Sequence, residues 1–471
     1  MERFFRNHGA RLQFVYELMP PLVQSALTSM RGLPLTRNRY TTAMKGLCAE
    51  LRIHESWTKD QIHDLQSRLL QETLDHARRT VPHYRFYPPL KLNHIEDIRA
   101  LPVLSREEVR ADPSEFLSAS TPERELILVR TTGTTGASVT IGYSAELMGR
   151  AWAFRMRHWE WAGISPREWR ITLFGSRVVT PKRKKPPYWT YNLAEHQILL
   201  SVFHLSQQSA NDYIRFLHRH EHMVLEGFPS VLAILADFAL QRGERLPMRA
   251  IFTDGEPLYS HMRERIERAF QAKIYDTYGN TELCGLVQEC EHSQMHLSPE
   301  FGFAEILNDR NEPVTAGEEG YFVWTSLLNR TTPLIRYRIG DRGCWAQDTC
   351  PCGRAFPLIR PTITRDSDLL HHPDGRIFSP RALNQLLKVA TSLCFCQFVQ
   401  DAPDHVIVRG VPSHPSASRD LLGIACALRH LLGNGMRVTS EIAAEPITRA
   451  GGKIPLIFVA FKVPPQLPDS Q

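Results

Sequence analysis

Two groups of side chains in this sequence have types and spacings that suit chemistry. The first is the run Arg130-Thr131-Thr132-Gly133-Thr134-Thr135-Gly136-Ala137-Ser138. Its glycines allow positive φ and a close backbone approach to a ligand. Hydroxyls and free N–H groups then face that ligand, and a phosphate chain is a natural guest. Ser, Thr and Gly also build ordinary hairpin turns, which is the plain alternative. No Gly-Lys-Ser/Thr follows, so the run is not a Walker A loop and a P-loop NTPase is disfavoured. The second group is Cys290, His292 and His296, joined much later by Cys350 and Cys352 with Pro351 between them. Thiolates and imidazoles at short spacing suit Zn²⁺. Buried free cysteines are the alternative there.

These groups need elements to hold them. Leu126, Ile127, Leu128 and Val129 read as a strand, and so do residues 139–143, so the Thr/Gly run is a turn between two strands. Upstream, Thr58 and Gln61 form a capping-box pair. Ile62, Leu65, Leu69, Thr73 and Ala77 recur at helical spacing until Pro82 ends the helix. Residues 152–161 read as a helix rich in aromatics and arginines. Its Trp152, Phe154 and Arg157, with Phe174, Phe228 and Tyr275, are candidates to wall an organic pocket, against a default of core packing. Residues 14–27 suit either a membrane surface or packing on the main body, and packing is preferred.

Residues 222–282 alternate strand and helix. Met223-Val224-Leu225 precedes a helix from Val231. Residues 250–253 form a strand ending in Asp254-Gly255-Glu256-Pro257, and a helix starts at a Ser260 cap. Lys273-Ile274-Tyr275 opens a strand that ends in Thr277-Tyr278-Gly279-Asn280-Thr281-Glu282. Such alternation predicts a parallel sheet, whose ligands bind beyond the carboxyl ends of the strands. From Glu305 the pattern turns to antiparallel strands, at 321–327 and 334–338, the second ending in Ile339-Gly340-Asp341. Around 365–375 the chain becomes polar, and the last hundred residues read as a small α+β unit: a helix from Pro380, strands at 405–408, near Val438 and near Ile457, and a helix near 421–432.

The chain has 471 residues, with 42% hydrophobic and 23% charged, which suits two or three soluble domains. A formal charge of +6 is mild at this length and does not demand nucleic acid. No apolar run is long enough to span a bilayer, and no secretion signal is expected. Nine cysteines in such a chain predict a reducing, cytoplasmic setting.

Four pieces lie in order: the Thr/Gly turn, Asp254-Gly255-Glu256-Pro257, Tyr278-Gly279-Asn280-Thr281-Glu282 and Tyr337-Arg338-Ile339-Gly340-Asp341, followed by Gly452-Lys453. Together they resemble the adenylate-forming superfamily of acyl-CoA synthetases, luciferases and peptide-synthetase adenylation domains. The branch resembled is that of phenylacetate–CoA ligases and their capsular-polysaccharide relatives, over roughly residues 56 to 460. The resemblance implies an α/β fold: a large N-terminal domain of layered sheets and helices, 1–364, and a small mobile α+β lid, 365–471. It implies that Thr131, Thr132, Gly133, Thr134, Thr135 and Gly136 wrap the β- and γ-phosphates of ATP. Gly255, Glu256 and Pro257 would shelve adenine with Tyr278 on its other face, and Gly279 and Thr281 would lie in the same nucleotide motif. Glu282 would hold Mg²⁺. Asp341 would accept from both ribose hydroxyls. Arg365 would sit near the ribose, Asp368 would be the hinge, and Lys453 would reach the α-phosphate and the substrate carboxylate. The branch carries a similar Cys-x5-His and Cys-x-Cys, which assigns Cys290, His296, Cys350 and Cys352 to a structural Zn²⁺.

The implied activity is attack of a carboxylate on the α-phosphorus of ATP, giving an acyl-adenylate and pyrophosphate, then transfer of the acyl group to CoA. The acid is organic, with aryl acids one class. Passage to an amine, a hydroxylamine or a carrier-protein thiol is the runner-up, and a non-catalytic scaffold on a decayed ligase fold is the third reading. A homodimer is compatible with all three. Two departures stand out: Ala137 and Ser138 replace the Lys and Pro of many relatives, and Thr364 replaces a Gly before Arg365.

Overall fold

The computed structural model describes residues 16, 19–131, 139–176, 178–180, 183–361, 369–374, 376–378, 383, 385–387, 392–449 and 453–461. Thr132, Gly133, Thr134, Thr135, Gly136, Thr364, Arg365, Asp368 and Gly452 lie outside them, as do the expected domain border and the start of the helix expected from Pro380.

Helices α1 (Pro21–Arg39), α2 (Thr42–His54) and α3 (Lys59–Thr80) lead the chain. The capping box at the start of α3 forms as expected, with Thr58 and Gln61 each satisfying the other's backbone N–H. Strands β1 (Ile127–Arg130) and β2 (Thr140–Tyr143) pair antiparallel, Ile127 opposite Tyr143 and Arg130 opposite Thr140. The Thr/Gly run therefore joins the two strands of a hairpin. A six-residue helix, α4 (Arg106–Ala111), precedes them, and α5 (Ala145–Trp161) follows. This last helix begins seven residues before the aromatic stretch suggested, because Ser144 accepts from the Leu147 N–H and caps it.

The main sheet contains β3 (Arg170–Leu173), β4 (Trp189–Asn192), β5 (Gln197–Leu200), β6 (Val224–Gly227), β7 (Ala250–Asp254), β8 (Ile274–Gly279), β9 (Leu286–Glu289) and β10 (Met295–Leu297). Its spatial order is β10-β9-β8-β7-β6-β3-β5-β4. The run β5-β3-β6-β7-β8 is parallel, and the outer strands are antiparallel. Helices α6 (Ala210–His218), α7 (Pro229–Gln241) and α8 (Ser260–Phe270) connect or cover these strands. Helix α7 buries every residue from Pro229 to Ala239, so it runs through the core.

Two expectations change here. Tyr278 and Gly279 belong to β8 rather than to a loop, because β9 folds back and pairs Thr277 with Gln288, extending the strand. Helix α8 has Tyr259 rather than Ser260 in the cap position.

A second sheet contains β11 (Gly302–Leu307), β12 (Gly320–Ser326), β13 (Tyr337–Trp345) and β14 (Ile359–Pro361), all antiparallel. Asp341 lies mid-strand in β13, not at a strand end. Arg336, at φ 48°, breaks the chain just before Tyr337, so the strand starts late and runs on to Trp345.

The small unit has a short pair, β15 (Leu370–His371) with β16 (Ile377–Phe378), and a four-stranded sheet. That sheet is β17 (Leu393–Ala402), β18 (His405–Pro412), β19 (Arg437–Ile442) and β20 (Ile457–Val459), in the order β19-β18-β17-β20, packed on helix α9 (Ala417–Leu432). Strand β17 is not visible in the sequence pattern, because it is buried on both faces from Leu393 to Gln400 and shows no alternation. One face supplies Leu393, Cys396 and Phe398 to the core of the small unit. Cys394 and Phe395, with Val411 and Ile454, pack into the core around α7 and α8. The small unit thus rests on the large one through apolar side chains.

Candidate active site and cysteine–histidine cluster

Strands β6, β7 and β8 run parallel in register, so their carboxyl ends deliver Phe228, Asp254 to Glu256 and Tyr278 to one edge. Gly255 has φ +79°, a conformation that side chains resist. A Cβ there would lie 3.1 Å from the Phe228 ring and 3.2 Å from Lys453 Nζ. The glycine therefore leaves room for the lysine that the small unit brings across. Lys453 Nζ also sits 5.8 Å from the centre of the Phe228 ring.

Glu256 fixes this approach. One carboxylate oxygen accepts from the Ser230 N–H at the start of α7 (3.2 Å) and the other from the Ile454 N–H beside Lys453 (2.7 Å). Burial raises the pKa of Glu256, and those N–H groups and Lys453 oppose the rise. Burial likewise raises that of Asp254, against Arg155 and Lys453.

The Tyr278 hydroxyl donates to Asp341 Oδ2 (2.9 Å) and the Tyr337 hydroxyl donates to Glu282 Oε1 (3.3 Å). Both carboxylates are buried. The buried Cys284 thiol is pushed well up by burial and then by the charges of Glu282 and Asp341. The Tyr143 hydroxyl donates to the Thr281 carbonyl and holds the Glu282 segment. The Tyr278 ring stacks on Trp324 at 25° and 6.3 Å, so aromatic packing from β12 fixes the tyrosine. Thr131 Oγ1 accepts from the Val139 N–H (2.9 Å) and closes the neck of the Thr/Gly turn.

Of the six pocket candidates, Phe228 lies against Lys453, and Phe174 meets Phe228 edge to face at 5.0 Å. The other four serve the core. Trp152 lies under the Arg39 guanidinium at 4.2 Å, Phe154 meets Phe301, Arg157 pairs with Glu300 at 3.0 Å, and Tyr275 stacks on Phe252. A chain of charges that the sequence reading missed runs toward the same edge. Arg39 and Arg170 share Glu195, Arg170 Nε lies 3.7 Å from Glu226, and Arg155 pairs with Glu226 at 2.7 Å. These residues are far apart in sequence; the pairing of β3 with β6 sets Arg170 beside Glu226.

The cysteine–histidine group also converges. The ligand atoms of Cys290, His296, Cys350 and Cys352 all lie within 4.8 Å of one another. Cys290 Sγ is 3.5 Å from Cys350 Sγ, and Cys352 Sγ is 3.3 Å from His296 Nε2. His296 Nδ1 faces the Phe356 carbonyl at 3.2 Å, which leaves Nε2 for the cluster. His292 contributes only its backbone N–H, donated to Cys290 Sγ. Donors around a tetrahedral Zn²⁺, with bonds of about 2.0–2.3 Å, stand roughly 3.3–3.8 Å apart, so this donor set fits that ion.

No family model matches the chain. Protein CapK of Staphylococcus aureus is 24% identical over 456 residues, covering 94% of this chain and 98% of CapK. The phenylacetate–coenzyme A ligase of Thermus thermophilus is 24% identical over 342 residues, covering 67% of this chain and 73% of the ligase. Among solved structures, 2-hydroxyisobutyryl-CoA ligase in its postadenylation state aligns with a TM-score of 0.65 at 21% identity, covering 86% of this chain and 91% of the ligase. The chain is thus similar over most of its length to CapK, and over two thirds of it to a phenylacetate–CoA ligase, and it shares the fold of 2-hydroxyisobutyryl-CoA ligase.

Proposed function

We propose that the chain is an ATP-dependent, AMP-forming ligase that activates an organic acid as its acyl-adenylate, releases pyrophosphate and hands the acyl group to CoA. The observation that carries this reading is the position of Lys453. The small unit brings it against Gly255, and the register that pairs Asp254 with Thr277 sets Gly255 near Tyr278, whose hydroxyl bonds Asp341. An ammonium there meets a need of the reaction, in which a carboxylate must approach a phosphate of like charge. Lys453 would bridge the substrate carboxylate and the α-phosphate.

In this reading Asp341 accepts from the ribose hydroxyls and Tyr278 orients it. Gly255, Glu256 and Pro257 form the adenine shelf, and Thr131 anchors the phosphate turn. Glu282, oriented by Tyr337, would hold Mg²⁺, which when bound supplies charge to the phosphates. Phe174 and Phe228 would wall the acid pocket, which favours an acid with an apolar or aromatic body. Cys290, His296, Cys350 and Cys352 would hold a structural Zn²⁺, since all four positions are filled by protein. The nine cysteines are all free thiols, which suits a reducing cytoplasm, and among the described residues no helix is long and apolar enough to cross a membrane.

The test is acid-dependent exchange of labelled pyrophosphate into ATP across a panel of aryl and alkyl acids, followed by CoA thioester formation with each acid that exchanges. Exchange with at least one acid and thioester formation are expected. Exchange without a thioester would move the acceptor to an amine or a carrier protein. No exchange from zinc-loaded, folded protein would sink the activity.

A further inference from the structure

We infer that the outer face of α1 is a docking surface for an anionic lipid bilayer. This goes beyond the proposed chemistry and does not depend on it. Helix α1 is amphipathic with its faces reversed: its polar side chains meet the protein and its apolar ones meet solvent. Ser25 Oγ accepts from the Tyr191 N–H (3.2 Å), and Ser29 Oγ accepts from the Leu193 N–H (3.0 Å). Thr36 donates to Glu195 at 2.6 Å, and a Cβ on the buried Gly32 would collide with the Asn192 side chain. Strand β4 is the end strand of the main sheet, so the helix covers an open edge and satisfies its backbone groups through hydroxyls.

The opposite face is apolar. Leu22, Ala26, Met30 and Leu33 follow one another at helical spacing, with Val23 beside them. Leu22 is 86% exposed, Met30 65% and Leu33 58%. Leu193, also exposed, stands next to this strip with its N–H on Ser29. Apolar side chains gathered on one exposed face mark an interaction surface, unlike the same residues scattered singly.

The charge around the strip identifies the partner. Helix α1 contains Arg31, Arg37 and Arg39 and no acidic residue. Arg39 is engaged by Glu195, while Arg31 and Arg37 are exposed. Arg183 donates to Gln24 at 3.2 Å and so brings the exposed Lys184 and Lys185 beside the first turn of the helix. An apolar strip with basic flanks suits an anionic bilayer, into which the strip sinks while the cations stay at the level of the phosphates. A second copy docked on the strip about a twofold axis would instead bring these cations together, with no acid of α1 to pair them.

Cosedimentation of the full-length protein with vesicles of phosphatidylcholine alone, and of phosphatidylcholine with an equal part of phosphatidylglycerol, tests the assignment. The protein should bind the anionic vesicles at least about tenfold more tightly than the neutral ones, and high salt should reduce that excess. Leu22→Ser, Met30→Ser and Leu33→Ser combined should lower binding to the anionic vesicles by about tenfold or more. Lys184→Gln with Lys185→Gln should lower it by about tenfold and narrow the preference for anionic lipid. All five side chains are exposed, so both variants should unfold in urea as the parent does. Binding of the parent to neither vesicle, equal binding to both, or undiminished binding of the Leu22/Met30/Leu33 variant overturns the proposal. So does a dimer in sedimentation velocity that the same three substitutions dissociate, which would assign the strip to a second copy.

Discussion

Lys453 is the side chain on which the chemistry depends. Lys453→Ala should lower pyrophosphate exchange by at least about a hundredfold, because a preorganised charge at a developing anion is lost. Unfolding curves should stay close to those of the parent, since Glu256 holds the lysine loop through the Ile454 N–H rather than through the ammonium. Tyr278 is a smaller case. Its hydroxyl orients Asp341, so Tyr278→Phe should weaken ATP by about fivefold, on the scale of one hydrogen bond of ~1 kcal/mol. The acid pocket should be read from Phe228, and Phe228→Ala should change the order of preference among acids in the same panel. The residues that matter here divide by what made them visible. Glu282, Asp341 and Lys453 stand in short motifs and can be read along the chain. Arg155 and Glu226 act through neighbours distant in sequence, and no local spacing marks them.

Among the elements, α1 and the cysteine–histidine cluster are testable by themselves. Helix α1 is tied down where Arg39 and Thr36 meet Glu195. Burial raises the Glu195 pKa, but Arg39, Thr36 and Arg170 outweigh it, and the carboxyl is held below its usual value. Glu195→Ala would leave Arg170 buried beside one carboxylate instead of two, and should cost about 3–5 kcal/mol in urea unfolding. It should also speed proteolysis within α1. The cluster joins the segment after β9 to the turn before β14. Chelation, or Cys352→Ser, should release one zinc per chain by metal analysis. At free zinc a thousandfold above the dissociation constant, the stabilisation lost would be about 4 kcal/mol.

The whole molecule depends on how the small unit rests on the large one. Cys394, Phe395, Val411 and Ile454 join the core around α7 and α8, and nearby Arg265 bonds Asp237 at 2.8 Å. Burial pushes the Asp237 carboxyl up to about 6, against the pull of Arg265. A carboxyl with a raised folded-state pKa adds stability as pH falls through that value, down to the unfolded value of ~3.9. Between pH 7 and pH 4 this site should therefore contribute roughly 3 kcal/mol of added stability. Asp237→Asn should remove that slope, seen as the difference between parent and variant in urea unfolding at pH 7 and pH 5. The strand–helix alternation, the hairpin around the Thr/Gly turn, the capping box of α3 and the motifs that indicate adenylation could all be read from the amino acids alone. Each is local, set by turn chemistry, capping or periodicity over a few residues. The length of β8, the central position of Asp341 in β13, the doubly buried β17 and the core packing of Trp152, Phe154, Arg157 and Tyr275 depended on the tertiary structure. Strand pairing, two-sided burial and the direction of a ring are fixed by partners from elsewhere in the chain, and a linear pattern carries no record of those partners.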